Sequence, residues 1–414
     1  MTKEFCGLTG LKREDLQNGL VRSERMIQFD MKNWGYKWKK NGKRPFFEGH
    51  ERDDVKQHRT EYVDYFISRQ DHYYRIHPET NEWIFPIEHP IILFYHDETS
   101  THCNEQSHMR WFKVGHEPFT SKGRGRCLMI SDFLVAHPSS SFFYLNEEEW
   151  KKAIQKYPSL LENHGINYEE RTCIGSIIPG TDGYFCSDTI LKQFERLFQM
   201  LEFKDEYNHP VKHDIEIVVD SARTHTARTL NINDYRLHPG GNCPIEYLEW
   251  TDESGNKQTH DLFIRTGPKK GLSKGLRIIA EELGFELPTK LHPAFSSTTK
   301  LEALGKNYNR KIIFNPKFHC ETNPIDGKWC FEKSFVRKYS DQTFPTMCTL
   351  IKQARIYFEK NNFSRKLIKR FWNVLFAYKA GATYGEVLKT YFGGKCKENI
   401  TNHRKFYETF LKLP

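Results

Sequence analysis

The chain has 414 residues, 38% of them hydrophobic and 14% aromatic, with 62 basic against 53 acidic residues and a net charge of +9. That length suits two or three domains, the apolar and aromatic content excludes a disordered chain, and the positive balance suits a polyanionic partner. No apolar run approaches the span of a bilayer, Met1-Thr-Lys-Glu-Phe-Cys6 lacks the apolar core of a signal peptide, and the ten cysteines contain no Cys-x-x-Cys pair, so a reducing, intracellular compartment is expected without a zinc ribbon or disulfide framework.

From the N-terminus, Leu11–Leu20 and Ser23–Trp34 read as two short helices, the second with Ser23 as N-cap and Gly35 as stop. Ile27, Met31 and Trp34 fall on one stripe, and two such helices in succession fit a helix-turn-helix. The stretch 32–44 holds six basic residues (Lys32, Lys37, Lys39, Lys40, Lys43, Arg44), no acid, and interleaved Trp34, Tyr36 and Trp38. Cations release counterions from phosphate, so DNA contact is the favoured reading; a solvated loop or a nuclear-import signal are the others. Residues 52–72 read as a longer helix with Val55, Arg59, Tyr62 and Phe66 on one face. The segment 75–90, with Pro78, Pro86 and Pro90, reads as a connector.

Ile91–Tyr95 is a continuous apolar run expected to be a central strand, with His96-Asp-Glu-Thr99 directly after it. Strands are expected at Met109–Val114 and Arg126–Val135, completing an antiparallel meander. The joining Lys122-Gly-Arg-Gly-Arg126 is a basic hairpin turn whose Lys122, Arg124 and Arg126 could also touch phosphate. Residues 146–161 and 188–201 are expected helices, the second crossing over to a strand at 215–219. Asp220 ends that β-branched run. A carboxylate at the C-terminal lip of a buried strand is where an open α/β sheet places its chemistry, although it is also where an N-cap would stand.

Residues 231–300 break the pattern and read as an insertion, with a hairpin in 245–265, a basic turn at Gly267–Lys274 and a helix over 273–283. The sheet resumes at Lys311–Phe314. Asn323 is an expected N-cap and Pro324 a first helical residue, which puts Asp326 in the first turn as either a capping-box acid or a group leaning to the lip of the sheet. Helices are expected at 327–339, 344–359, 364–379 and 383–391. Cys103 and Cys320 each follow a histidine but lack zinc-ligand spacing.

His96-Asp97-Glu98-Thr99, Val219-Asp220-Ser-Ala-Arg-Thr-His225-Thr-Ala227 and Asn323-Pro-Ile-Asp326-Gly-Lys-Trp329 resemble, in order, the three catalytic blocks of mariner-like DDE/D transposases. The second block is similar to that family's Asp-Asn-Ala-Arg-Pro-His-Thr-Ala and the third to its Asn-Pro-Ile-Glu-x-x-Trp. The resemblance spans roughly residues 20 to 395. It implies an α/β fold, an RNase H-like mixed sheet flanked by helices, with the first acid on strand one, the second after strand four and the third on the following helix. It implies Asp97, Asp220 and Asp326 as catalytic metal ligands, with Glu98 and His225 in support and two Mg²⁺ ions (or Mn²⁺) as cofactor. The partners implied are double-stranded DNA, as terminal repeats and target, and further copies of the chain in a homodimer or higher oligomer; the compartment is the nucleus. The domains expected are a helical DNA-binding segment over 1–74, a linker over 75–90, a catalytic domain over 91–340 carrying the insertion, and a helical extension over 341–414.

Three departures from the family stand out. Ser221 replaces the usual Asn, and the third acid is Asp where relatives closest around this motif carry Glu, although mariner elements themselves use Asp. The spacing 326 − 220 = 106 exceeds that of compact mariner enzymes, so the insertion must loop out. In addition, only 22 residues precede the Ser23 helix, which fits a truncated copy or one with weakened end recognition.

The residue types fit phosphodiester chemistry in their own right. Two Mg²⁺ ions about 3.5–4 Å apart clamp the attacking and leaving oxygens of such a reaction. Mg²⁺ prefers carboxylate and water to imidazole or thiolate, which suits three carboxylates. The expected function is DNA transposition, a water nicking the element end and the freed 3′-hydroxyl attacking target DNA. A nuclease of the same fold that cuts without joining, and a captured DNA-binding protein whose acids no longer catalyse, remain open.

Overall fold

The computed structural model describes residues 24–34, 47–105, 123–228, 236–243, 245–251, 257–284 and 298–392. The chain divides into two units, residues 1–46 with 401–403, and the remainder. In the first unit the described element is helix α1 (Glu24–Asn33), which agrees with the expected Ser23–Trp34 helix. The Leu11–Leu20 helix, and with it the helix-turn-helix, lies outside the described residues. So do Lys37, Lys39, Lys40, Lys43 and Arg44 of the basic run, the strand expected at Met109–Val114, and Lys122.

After a single helical turn at Phe47–His50, the second unit has α2 (Asp53–Ile67) and a small hairpin, β1 (Arg75–Ile76) with β2 (Trp83–Ile84). The helix ends earlier than expected, and the proline-rich connector is partly paired. Then come β3 (Ile91–His102), β4 (Cys127–Ala136), α3 (Glu147–Lys156), β5 (Asn167–Tyr168), β6 (Gly175–Ile177), α4 (Ser187–Leu201) and β7 (Asp214–Val219). The helix expected over 146–161 closes at Lys156, where Pro158 starts a 3₁₀ turn instead. The insertion carries the hairpin β8 (Tyr247–Thr251) and β9 (Lys257–Asp261), then α5 (Gly275–Glu282). It leaves and rejoins the sheet through one neck, an antiparallel bridge between Arg228 and Thr299 supported by Lys300 N–H donating to the Ala227 carbonyl (2.8 Å). After it follow α6 (Lys300–Asn307), β10 (Lys311–Phe314), α7 (Pro324–Tyr339), α8 (Phe344–Lys360), α9 (Phe363–Lys379) and α10 (Tyr384–Tyr391). Among the described residues no helix is long and apolar enough to cross a membrane.

Six strands form one mixed sheet in the order β10-β7-β3-β4-β6-β5. β3, β4 and β6 pair antiparallel in succession, while β7 runs parallel to β3 and β10 parallel to β7. That order and polarity are those of an RNase H-like sheet, as expected. β3 sits in the middle because Ile91–Tyr95 can be buried on both faces. It runs on to His102, beyond its apolar stretch, because the ladder with β4 continues from Leu93↔Ala136 to His102↔Cys127 and holds polar residues in strand geometry. β4 therefore pairs with β3 directly.

Side chains alternate across the sheet. Ile92 and Phe94 of β3 with Ile215, Ile217 and Val219 of β7 meet Phe194, Leu197 and Phe198 of α4 on one face. Leu93, Tyr95 and Val218 lie on the other, under Tyr62 and Phe66 of α2, Ile325 and Trp329 of α7, and Ile368, Phe371 and Trp372 of α9. Helices expected to belong to a DNA-binding segment (α2) and to a C-terminal extension (α8, α9) thus share the core of the sheet. Glu216 of β7 fixes α2 in place: its buried carboxylate accepts from Tyr65 Oη (2.5 Å), Tyr73 Oη (2.7 Å) and Arg69 Nη1 (2.9 Å). A mid-sheet carboxylate is tolerable only when it is so fully bonded.

Candidate active site

The alternation that builds the core also collects the acids. Asp97 continues the series Leu93, Tyr95 on β3, and Asp220 continues Glu216, Val218 on β7. Tyr95 is the register partner of Val218, so two steps onward Asp97 and Asp220 stand side by side on the same face, at the C-terminal lip of the parallel pair. Asp326 comes to that face on α7, whose Ile325 and Trp329 are packed in the core beneath.

The loop that delivers Asp326 is held by Asn315. Its N–H donates to the Val219 carbonyl (2.8 Å), its Nδ2 to the His319 carbonyl (2.8 Å), and its Oδ1 accepts from Thr322 Oγ1 (2.6 Å). Ser221, the departure from the family's Asn, donates to the Asn315 carbonyl (3.1 Å) and so ties the second motif to the third. Sequence reading missed Asn315; an Asn-Pro directly after a strand was its only signal.

The capping box that Asp326 could have joined is not formed. Asn323 occupies the N-cap position and Pro324 the first turn, but the Asn323 side chain makes no capping bond and no capping box forms. Asp326 makes no ion pair among the described residues. Burial, then the charges of Asp220 and Glu321, push its carboxyl up to about 7, with Lys333 acting against them. Asp97 is pushed well above the carboxylate range by burial and then by the charges of Asp326, Glu98 and Asp220. The three aspartates are thus within electrostatic reach of one another, and for two of them burial and repulsion disfavour the charged form.

Asp220 behaves oppositely. Burial raises its carboxyl, but His225 and the Ala222 N–H outweigh that and leave it below its ordinary value. His225 Nδ1 donates to Asp220 Oδ1 at 2.5 Å, and Ala222 N–H donates to the same oxygen at 3.0 Å. The second ring nitrogen of His225 faces Glu98 Oε1 at 3.5 Å. Burial disfavours the imidazolium, yet these two carboxylates outweigh it and push the buried ring up to about 10. Its contacts are those of a group that orients Asp220.

Glu98 and His96 point to the opposite face of β3 from Asp97. The donor atoms of His96, Glu98 and His225 all lie within 4.8 Å of one another, among the described residues the one such group of three potential metal ligands. Of the basic hairpin turn, Arg126 stacks on Phe344 (4.1 Å to the ring centre) and Arg124 is exposed. Gly125 there has φ +73°, and a side chain would strike Cys103 Sγ, so its close approach to residues 103–104 requires glycine. The eight cysteines among the described residues are free thiols.

No protein-family model matches the chain, and no curated protein matches it. Among solved structures it is similar to the Mos1 mariner paired end complex with Mg, at 12% identity and a TM-score of 0.40 over 92% of this chain and 77% of that one. It is similar to the Mos1 mariner paired end complex with Mn at 10% identity and a TM-score of 0.40, over 87% and 70%. A pre-cleavage Mos1 transpososome gives 11% identity and a TM-score of 0.38, over 92% and 78%.

Proposed function

We propose that this chain is a DDE/D transposase, which hydrolyses phosphodiesters at the ends of a DNA element and transfers the freed strand into target DNA. The observation that carries the reading is the placement of Asp97, Asp220 and Asp326 on one face at the C-terminal lip of the sheet, two of them without a cation partner among the described residues. Such a donor set, three carboxylates that repel one another, fits hard divalent ions. Asp97, Asp220 and Asp326 would hold two Mg²⁺ or Mn²⁺ ions, which supply Lewis-acid stabilisation of the attacking and leaving oxygens.

The residues have distinct tasks. Asp220, oriented by His225 and by the Ala222 N–H, is ionised and fixed. Asp97 and Asp326 gain most from a cation, since their charges are the least compensated. In the first step water attacks the phosphorus at the element end, the bond to the 3′-oxygen breaks, and a 3′-hydroxyl and a 5′-phosphate result. In the second, that 3′-hydroxyl attacks a target phosphodiester and the target's own 3′-oxygen leaves.

Double-stranded DNA is the partner on this reading, held in part by the run Lys32 to Arg44 and by Arg124, Arg126 and Lys122. The working form is a homodimer or larger assembly on DNA, in the nucleus. The test is Asp97→Asn and Asp220→Asn in a nicking and strand-transfer assay with Mg²⁺. Both should abolish cleavage while leaving DNA affinity nearly unchanged, because a lost ligand charge removes a metal and not the phosphate-contacting surface. Undiminished cleavage by either variant overturns the reading, and cleavage without joining by the wild type would make the chain a nuclease.

A further inference from the structure

Behind the aspartates, on the other face of β3, the protons can be counted one by one. Gln193 Nε2 donates to the carbonyls of Cys173 (2.8 Å) and Ser131 (3.1 Å), which fixes its Oε1 as an acceptor. Ser131 Oγ gives its proton to that Oε1 (2.7 Å), so the same hydroxyl oxygen must accept from His96 Nε2–H (2.8 Å). His96 Nδ1 is left as a bare lone pair. On the facing ring, His225 Nδ1–H is committed to Asp220, which turns Nε2 toward Glu98. His96 Nδ1, His225 Nε2 and Glu98 Oε1 are all buried without a hydrogen-bond partner, and both histidines are 0% exposed.

We propose that His96, Glu98 and His225 form a second metal site, for a borderline divalent transition ion of the zinc class, distinct from the three-aspartate site. Three electron-pair donors pointing at one another across at most 4.8 Å require something positive between them. Two imidazoles and a carboxylate are the donor set of zinc-class ions and a poor match for Mg²⁺. Each ring has its other nitrogen held by an oxygen, His96 by Ser131 and His225 by Asp220, the outer-shell support that metal-bound imidazoles have. Ligand bonds of about 2.1 Å set tetrahedral donors roughly 3.4 Å apart, so the group closes by about an ångström or a little more on binding. The Glu98 side chain is 13% exposed, which leaves a route for the ion and a place for water as fourth ligand. The site goes beyond the transposase reading and does not depend on it. Its effect would be to fix the ring of His225, whose other nitrogen orients Asp220.

The rival occupant is a proton on His225 Nε2. The full chain, stripped with chelator, is titrated with Co²⁺ in millimolar Mg²⁺ and followed by its visible absorption. One Co²⁺ per chain is expected, with the intense bands of a four-coordinate ion, displaced by Zn²⁺. Binding should weaken at least tenfold in Glu98→Gln and in His96→Gln; should His96→Gln fail to fold, Glu98→Gln carries the comparison. Asp326→Asn should keep the Co²⁺ spectrum whether or not it cleaves DNA, which separates failure of this site from failure of the three-aspartate reading. Absence of saturable Co²⁺ binding, equal binding in both ligand variants, or His225 protonated on both ring nitrogens beside equimolar Zn²⁺ by ¹⁵N NMR, overturns the proposal.

Discussion

Asp97 and Asp132 are register partners across the β3–β4 ladder, on the same face of the sheet, and only Asp132 is neutralised. Arg355 of α8 pairs with Asp132, and Lys328 Nζ of α7 lies 3.4 Å from it and 2.8 Å from Glu332, with the Asp132, Lys328 and Glu332 side chains at most 3% exposed. Asp97, one strand away, has no ion pair among the described residues. The same helix that compensates one acid through Lys328 brings Asp326 to increase the repulsion on the other. A cation is therefore wanted at one point of this face and already supplied at its neighbour.

Removing the supplied cation should be costly. Lys328→Met leaves Asp132 and Glu332 buried with less compensation, and breaking a buried pair by deleting one partner typically costs about 3–5 kcal/mol. Urea unfolding should show a loss of that order, and Lys328→Met/Glu332→Gln should recover part of it. A loss under about 1 kcal/mol would show the network to be better hydrated than its burial suggests.

The uncompensated acids should make metal-free stability depend on pH in a definite sense. Asp326 titrates at about 7 in the folded chain, above the usual carboxylate value, so the folded state binds its proton more tightly than the unfolded state. That contribution is complete below about pH 4 and is lost as the pH rises through 7. Asp97 shifts in the same direction. Without metal, the wild type should lose on the order of 2 kcal/mol relative to Asp326→Asn between about pH 5 and about pH 8. Added Mg²⁺ should close the gap. Thermal melts at both pH values read this directly, and a gap that does not change with pH contradicts it.

The identity of the third acid can be tested by substitution. Because Asp326 makes no capping bond, Asp326→Asn should cost little stability, well under the ~1 kcal/mol that a true cap contributes, while eliminating strand cleavage. Asp326→Glu should retain partial cleavage. Near wild-type cleavage by a folded Asn variant in Mg²⁺ would remove Asp326 from the site.

Much of this arrangement was legible in the sequence because the relevant signals are local. The β-branched run before Asp220 and the Asn-Pro start of α7 each place an acid at the end of an element, the apolar run before Asp97 puts that acid where the central strand turns polar, and the C-terminal helices fall within three residues of their expected bounds. What was not legible depends on pairing between distant segments. β3 outlasts its apolar pattern because β4 supplies ladder bonds. Asn315 matters through Val219, Ser221 and Thr322, and His96 through Ser131 and Gln193, none of which spacing can reveal. Nor can spacing reveal that the face bearing Leu93 and Tyr95 is covered by α2 and α9, which lie far from β3 in the chain.

The basic run at 32–44 makes a prediction of its own. Lys39→Ala/Lys40→Ala should weaken DNA binding with little dependence on sequence. It should reduce the slope of log affinity against log salt by about one to two units, near 0.9 for each phosphate that is no longer neutralised. An unchanged slope would assign the run to a solvated loop or an import signal.

The neck at Arg228 and Thr299 uncouples chain length from site geometry. The excursion between them covers 299 − 228 = 71 positions, yet its ends are pinned within eight residues of Asp220 and at the first turn of α6. The free energy of closing a flexible loop grows only with the logarithm of its length, so doubling this one would cost about 0.6 kcal/mol. Inserted or deleted sequence beyond the neck is thus nearly invisible to the aspartates. Lineages of this chain can differ there by whole modules while their carboxylates superpose.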